Sequence, residues 1–560
     1  MIQVYERQSN RVPGITSLYL SFDFNQSIID TIKNNCEAYD FNKKTKEWEL
    51  PIKNCSNILD LLSFLDEILI NVLPNKENAI NVKLNMNYKT PPKEYQIDAI
   101  KFGMSHDKWL LLDGMGLGKT LSSIYIAQEL KERELVSHCL VICGVDSLRT
   151  NWKKEIEKHS YLDCRVLGEK ISSKGNISYA TINDRNTELA NNIQEFFIVT
   201  NVSNIRDSSF VDAFNHSKTN IDMIIVDEIH RCNNATQSQQ GKNLLKLNAK
   251  YKLGLSGTLW TNDVLGLFAP IKWVTDSNLT MTSFKNYFCN LLDNRPISYK
   301  NTDELHNIIS HYSLRRTKDF PEIAKQLPTK TIIDEYVDMS DEHKKLYSGV
   351  INAIKSEVDL VNINRNNLLG MVVRLRQATS CPNLLTSKTI ISSKILRCKE
   401  KVEELVSTGE KVVVFTSFKE VVKLAYEQLK EFDPYVITGD TPQTKVDNDC
   451  ELFQTTNDRK VLIATYQKLG TGYNLNSARY LIFIDYPWTA FEYDQASDRV
   501  HRLGSTQPVF IFNLICPNTI DEKVIKAINK KRALSNYVID GVISNDKDED
   551  ILKELVEDLF

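Results

Sequence analysis

The stretch Trp109-Leu110-Leu111-Leu112-Asp113-Gly114-Met115-Gly116-Leu117-Gly118-Lys119-Thr120 reads as an apolar strand, a glycine-rich loop and the opening of a helix that continues from Leu121. Such a loop presents backbone N–H groups and a helix N-terminus to phosphate. Lys119 is placed for β/γ oxygens and Thr120 for magnesium. Position 113 is Asp, so the full GxxxxGK[ST] pattern lacks its first glycine and only the core Gly116-Leu117-Gly118-Lys119-Thr120 remains. That core alone does not decide the chemistry; its surroundings do.

Outward from this loop, short β-branched or aromatic runs at 109–112, 139–143, 196–200, 223–226 and 251–255 alternate with helical patterns. A second set follows at 411–417, 435–438, 460–465, 480–485 and 509–514. This alternation is the rhythm of parallel α/β sheets, so the expected fold is α/β with two lobes in series. Between them, from about 275 to 400, polar and helical patterns such as 340–357 predict helical insertions and a linker. The expected organisation is therefore an N-terminal accessory domain at 1–90, a first lobe at 91–275, helical protrusions at 276–400, a second lobe at 401–540 and an acidic tail at 541–560.

The chain has 560 residues, too many for one core, which suits roughly three or four domains. Lys plus Arg total 69 against 72 for Asp plus Glu, a formal charge of −3, so any nucleic-acid surface is a local groove rather than a globally basic body. The eleven cysteines are scattered, with no CxxC pair, which argues against a disulfide framework and a zinc site. Cys139 and Cys143 read as core packing within a strand. The most apolar early stretch, 58–72, is broken by Asp60, Asp66 and Glu67, and no charged-then-apolar leader opens the chain, so neither secretion nor membrane spanning is expected.

In parallel sheets ligands bind at the carboxyl ends of strands, and the informative polar residues fall there. The run 223–226 leads into Asp227-Glu228-Ile229-His230, offering one carboxylate to hold Mg²⁺ and one to orient and deprotonate water. His230 is either part of that site or a surface loop histidine. The next strand ends at Ser256-Gly257-Thr258, which either relays the state of the phosphate site or is an ordinary loop. Gln96, beside Tyr95, carries an amide able to pair with an adenine edge. Far downstream, Arg499 and Arg502 stand at helical spacing, with Gln495 a turn earlier. They form either a solvated face or the arginine finger from which triphosphate hydrolysis gains greatly. The loop holding Gly472 follows the run 460–465.

Taken in order, these elements resemble helicase superfamily two, and within it the SWI/SNF-type branch of double-stranded-DNA translocases. The branch's habits recur at 113–120, at Asn151-Trp152-Lys153-Lys154-Glu155, at Leu314-Arg315-Arg316-Thr317-Lys318 and at Leu327-Pro328. They continue at Leu375-Arg376-Gln377, Ser393-Lys394, Asp485-Tyr486-Pro487-Trp488 and 495–504, so the resemblance covers about residues 90–535. Departures are Gly114 for a usual acid, Cys232 for Lys, Leu259 for Pro and Ser505 for Gln.

The resemblance implies two RecA-like lobes with ATP in the cleft. Gln96 then corresponds to the adenine reader, Gly116, Gly118, Lys119, Thr120 and Gly472 to the nucleotide holders, and Thr120 with Asp227 to the magnesium ligands. Asp227 and Glu228 become the hydrolytic pair, Arg499, Arg502 and Gln495 the finger group, and His230, Ser256, Gly257 and Thr258 the coupling residues. DNA contacts are implied at Ser147, Asn151, Trp152, Thr200, Thr416, Ser417, Thr465 and Lys468, mostly to phosphates, which position a protein without reading sequence. Each of these side chains has an alternative reading as a strand-end polar cap.

The segment Tyr39-Asp40-Phe41-Asn42-Lys43-Lys44, followed by Trp48-Glu49-Leu50-Pro51 and an amphipathic stretch at 58–69, resembles the HARP domain of annealing helicases; the alternative is a small α/β cap on the first lobe. The resemblance implies that Lys43, Lys44, Lys46 and Trp48 touch branched or single-stranded DNA, the lysines by charge and the tryptophan by stacking. The tail places Ile551, Leu552, Leu555, Val556 and Leu559 on one helical face, for packing on its own body or for a partner.

The expected function is an ATP-dependent double-stranded-DNA translocase with strand-annealing or fork-remodelling output in DNA repair, replication or recombination. A nucleotide-gated DNA-binding switch and a motor that displaces proteins from DNA are the alternatives. The expected location is the cytoplasm, with the nucleoid, in a bacterium or phage, and the nucleus in a eukaryote.

Overall fold

The computed structural model describes residues 2–8, 16–36, 39–43, 45–51, 58, 62, 68–71, 82–85, 87–144, 148–171, 177–233, 238–259, 264–277, 280–292, 295–360, 365–386, 389–470, 473–502, 505 and 507–540. The chain divides into two compact units. The first comprises Met1–Leu111, Thr120–Leu255 and Asp263–Leu314, and the second comprises Leu112–Lys119, Ser256–Asn262 and Arg315–Phe560.

The first unit opens with strands β1 (Ile2–Gln8), β2 (Thr16–Ser21), β3 (Asp40–Asn42), β4 (Glu47–Pro51) and β5 (Ile68–Asn71), in the sheet order β3-β4-β2-β1-β5. The helix Gln26–Asn35 buries Ile28 and Ile32, one turn apart, into the core formed with Val4, Leu20 and Leu50. Asn25 starts it by accepting from the Ser27 and Ile28 amides at 3.0 and 3.4 Å, which satisfies donors the helix leaves orphaned.

This small α/β sheet corrects one expectation. Trp48, expected to stack on nucleic acid, is only 8% exposed and belongs to the core, with Tyr39 and Phe41 tilted against it at centroid distances of 5.9 and 5.1 Å. Alternation on β4 turns Trp48 and Leu50 to one face, so the ring is spent on packing. Lys43 and Lys46 are exposed, whereas Lys44 and most of 58–69 lie outside the described residues.

Seven further strands of this unit form a second sheet: β6 (Lys108–Leu111), β7 (His138–Cys143), β8 (Cys164–Val166), β11 (Phe197–Asn201), β12 (Ile221–Asp227), β13 (Tyr251–Leu255) and the short β16 (Ser313–Leu314). The order is β16-β6-β13-β12-β7-β11-β8, and every pairing is parallel. Its inner strands are almost continuously buried, as a sheet covered on both faces requires. The hairpins β9 (Glu169–Ile171) with β10 (Ile177–Tyr179), and β14 (Cys289–Leu292) with β15 (Arg295–Tyr299), stand outside it.

The second unit holds β17 (Lys330–Tyr336), β18 (Val412–Thr416), β19 (Tyr435–Ile437), β20 (Val461–Thr465), β21 (Tyr480–Phe483) and β22 (Val509–Ile515). They form an all-parallel sheet in the order β17-β22-β21-β18-β20-β19. The helices Asp341–Leu360, Arg365–Ser380 and Ile520–Asp540 share a core of Tyr347, Ile354, Leu375, Ile520 and Val524.

The α/β class and the parallel sheets are as expected. The segment 276–400 is not purely helical, however: β16 extends the first sheet, β17 extends the second, and β14 and β15 make a hairpin. No disulfide joins the described cysteines, and no described helix is long and apolar enough to cross a membrane.

Candidate functional site

At the end of β6 the chain turns through the glycine-rich loop into the helix Lys119–Glu132. Gly116 and Gly118 both have φ of +79°, a backbone that L side chains rarely adopt, and successive amides in such turns form an anion-binding concavity. Lys119 Nζ donates to the carbonyls of Asp113 at 2.8 Å and Gly114 at 3.3 Å. Thr120 is half-buried in the first turn of that helix.

The structure explains the aspartate at position 113. Its carboxylate is 1% exposed and receives the Arg316 guanidinium as a fork, with Nε to Oδ1 at 2.9 Å and the terminal nitrogen on Oδ2. A glycine has no group for this pair. Arg315 bonds the Leu112 carbonyl at 3.1 Å and the Gly257 carbonyl at 3.3 Å, and the Gly114 amide donates to the Arg316 carbonyl at 2.8 Å.

Strand β12 delivers Asp227 at its carboxyl end, where Asp227 Oδ2 accepts from Trp152 Nε1 at 2.9 Å. Glu228 follows with φ of +52°, an uncommon conformation for a side chain of this size and of the kind that clusters at functional sites. A Cβ on Gly144 would stand 2.9 Å from Glu228 Cβ, so the end of β7 can approach only as glycine. His230 is 8% exposed and brings Nδ1 within 3.3 Å of Glu228 Oε2; it is not the alternative surface loop histidine. Cys232 is fully buried, and burial pushes its thiol up to about 12, so it has no thiolate chemistry near neutrality.

Ser256 is buried and closes its own turn, donating to the Thr258 carbonyl at 2.6 Å and accepting from the Thr258 amide at 3.2 Å. A Cβ on Gly257 would lie 2.6 Å from Met115 Cγ, so this turn packs directly against the phosphate loop.

The distant arginines are arranged differently from expectation. The helix Ala490–Ser497 ends before them, Asp498 to Val500 continue as turns and His501 as a bend, so no regular helix carries Arg499 and Arg502 on one face. Arg499 folds back onto the carbonyls of Gln495 at 3.1 Å and Tyr473 at 3.2 Å. Arg502 is the arginine brought to the loop: its Cγ lies 3.1 Å from the position of a Cβ on Gly116. Gln495 is 6% exposed, with Oε1 3.5 Å from a Cβ placed on Gly470. Gln96 is 5% exposed, and its side-chain oxygen accepts from the Lys93 amide at 2.9 Å, closing a helix cap. Gly472 and Ser147 lie outside the described residues.

Several side chains expected to touch DNA face inward instead. Thr200 is fully buried and its hydroxyl accepts from the Asn204 side-chain Nδ2 at 2.6 Å, and Trp152 is 1% exposed with its indole N–H on Asp227. Thr416 is fully buried with its hydroxyl on Asp485, and Thr465 is also buried. These are corrections. For the three threonines the cause is shared, because a polar side chain at the end of a buried parallel strand must find an internal partner; Trp152 instead lies on the buried face of the helix Leu148–His159. Ser417 belongs to the same network, its amide donating to Asp485 at 3.0 Å and its hydroxyl meeting the Tyr466 hydroxyl at 2.8 Å. Asn151 and Lys468 keep partial exposure, with Lys468 reaching Gln443 at 3.4 Å. Arg376 completes the Asp485 network at 3.2 Å, with its guanidinium 4.1 Å from the Trp488 ring centre.

Two family models match the chain. The SNF2-related domain matches residues 95–384, slightly more than half of the chain, and the helicase conserved C-terminal domain matches residues 394–504. The chain belongs to the SNF2-related domain family. This SNF2-related chain is 26% identical, over 86% of its length, to an uncharacterized ATP-dependent helicase of Mycoplasma pneumoniae, of which it covers 45%. It is 26% identical to a putative ATP-dependent helicase/translocase of Bacillus subtilis, covering 84% of this chain and 51% of the relative. Among solved structures, the SWI2/SNF2 ATPase core of Sulfolobus solfataricus in complex with dsDNA shows 26% identity and a TM-score of 0.38, covering 82% of this chain and 96% of that one. The SNF2-related chain spans about half the length of the curated relatives it matches.

Proposed function

We propose that the chain is an ATP-dependent translocase on double-stranded DNA, with strand annealing or fork remodelling in DNA repair, replication or recombination as its output. The observation that carries the reading is the approach of Arg502 to Gly116, which sets an arginine beside a phosphate-binding loop. Membership of the SNF2-related domain family supports it. The exposed Lys43 and Lys46 on the N-terminal sheet support a contact with the DNA backbone there.

In this reading Lys119 supplies charge to the β/γ phosphate oxygens, and the positive-φ glycines supply backbone amides. The Thr120 hydroxyl and Asp227 carboxylate are hard oxygen donors of the kind that suits magnesium, which commonly takes its other ligands from phosphate and water. Among the described residues no cluster of three or more His, Cys, Asp or Glu side chains competes for a metal. When bound, the ion neutralises charge on the transferred phosphoryl group. Glu228 accepts the proton of the attacking water, its backbone in the uncommon positive-φ conformation and His230 Nδ1 3.3 Å from its Oε2. Arg502 faces the charge that builds as the terminal phosphate leaves, and ATP plus water becomes ADP plus phosphate.

The test is ATP hydrolysis by the full chain with duplex, forked and single-stranded DNA and with RNA. Stimulation by duplex and forked DNA is expected, with the forked substrate strongest if remodelling is the output. Equal rates with and without every DNA would overturn the reading.

A further inference from the structure

We propose that the stretch Arg315-Arg316-Thr317-Lys318 is a strap that positions the phosphate loop and the Arg502 segment together, with Arg316 and Lys318 as positioning residues for hydrolysis. The proposal rests on the hydrolysis reading above.

One end of the strap grips the loop. The Arg316 fork on Asp113 is buried on both sides, 6% and 1% exposed. The Arg316 carbonyl takes the Gly114 amide at 2.8 Å, and Arg315 reaches the Leu112 and Gly257 carbonyls. A planar, bidentate guanidinium fixes the orientation of its carboxylate as well as its distance. The first three residues of the loop are therefore held in place by two adjacent arginines.

The other end grips the arginine segment. Lys318 Nζ donates to Asp498 Oδ1 at 2.7 Å and to the His501 carbonyl at 2.7 Å. Asp498 immediately precedes Arg499, and His501 immediately precedes Arg502. Burial draws the Lys318 pKa down and Asp498 opposes that, so the ammonium has its counter-charge at the same place where it binds the segment. His501 is tied further, its Nε2 lying 2.8 Å from the Pro328 carbonyl.

Arg316 and Lys318 are two residues apart, so their Cα atoms are separated by at most ~7 Å of extended chain. The loop and the arginine segment are thus held from nearly one point, and Arg502 meets Gly116 beside it. Lys318 acts through the placement of Arg502, and Arg316 acts through the shape of the loop.

The experiment is a double-mutant cycle in the full chain, reading ATP turnover together with equilibrium binding of a fluorescent non-hydrolysable ATP analogue. Lys318→Met is expected to lower kcat about tenfold or more while leaving analogue affinity within about threefold; in Arg502→Ala it is expected to change kcat less than about twofold, because residues acting as a unit are non-additive. Lys318→Arg recovers part of the loss. Asp498→Asn, nearly isosteric, repeats the cycle without a change of volume and covers the case in which Lys318→Met fails to fold. Arg316→Gln is expected to weaken analogue binding about tenfold, which Lys318→Met does not. Full multiplication of the Lys318 and Arg502 effects, or normal turnover in Lys318→Met, would overturn the strap. Normal turnover in Arg502→Ala alone would instead overturn the hydrolysis reading on which the strap rests.

Discussion

Lys119→Ala is expected to lower DNA-stimulated ATP hydrolysis by about 10²–10³-fold or more, the scale of losing one preorganised charge-stabilising donor. That corresponds to roughly 2.7–4 kcal/mol of transition-state stabilisation. The Lys119 ammonium is attached at the start of the helix Lys119–Glu132 and reaches back over the Asp113 and Gly114 carbonyls, so its charge lies over the loop that would carry the phosphates. The positive-φ glycines and the Arg316 fork on Asp113 hold the loop alongside the two Lys119 bonds, so the variant is expected to lose little melting temperature beside its loss of turnover. Steady-state turnover with a thermal melt checks both parts. Near-normal hydrolysis by a folded Lys119→Ala would contradict the loop assignment.

Arg502→Ala is expected to reduce turnover by a similar factor of about 10²–10³ or more while leaving ATP binding nearly unchanged, because a finger acts on charge that develops only in the transition state. The same change at Arg499 is expected to act differently. Arg499 spends its guanidinium on the Gln495 and Tyr473 carbonyls, so its loss unties the loop near Tyr473 before it reaches any phosphate. Comparing kcat and analogue affinity for the two alanine variants checks this. A larger, purely catalytic loss at Arg499 than at Arg502 would reverse the assignment drawn from Gly116 and Arg502.

The inner strands were legible in the sequence because a parallel sheet covered on both faces demands unbroken apolar runs such as Val412–Thr416 and Val461–Thr465. Among the edge strands, Tyr435–Ile437 was legible but Cys164–Val166, Ser313–Leu314 and Lys330–Tyr336 were not. Lys330–Tyr336 mixes Lys330, Asp334 and Glu335 with Ile332 and Ile333, a pattern a half-exposed edge tolerates and that spells no strand by itself, so it was read as part of a linker.

The candidate site divides in the same way. Lys119, Asp227 and Glu228 announce themselves by local spelling. Asp113 appeared as a missing glycine, because its partner Arg316 is 203 residues away, and the link from Lys318 to Asp498 spans 180. For Thr200 and Thr416 the resemblance implied DNA contact and the strand-end cap was the alternative; the cap is what the structure shows, and a threonine at a strand end is spelled identically in both cases. Trp48 was misread for a related reason. Its place on nucleic acid came from the resemblance of 39–51 to the HARP domain, while strand alternation sends the ring into the core.

The most direct test of directed movement on DNA is displacement of a third strand from a triplex-bearing duplex by the full chain. The account predicts ATP-dependent release of the third strand, abolished in Lys119→Ala and Arg502→Ala. Tight ATP-dependent binding to the duplex with the third strand left in place would contradict it and assign the chain to a nucleotide-gated clamp.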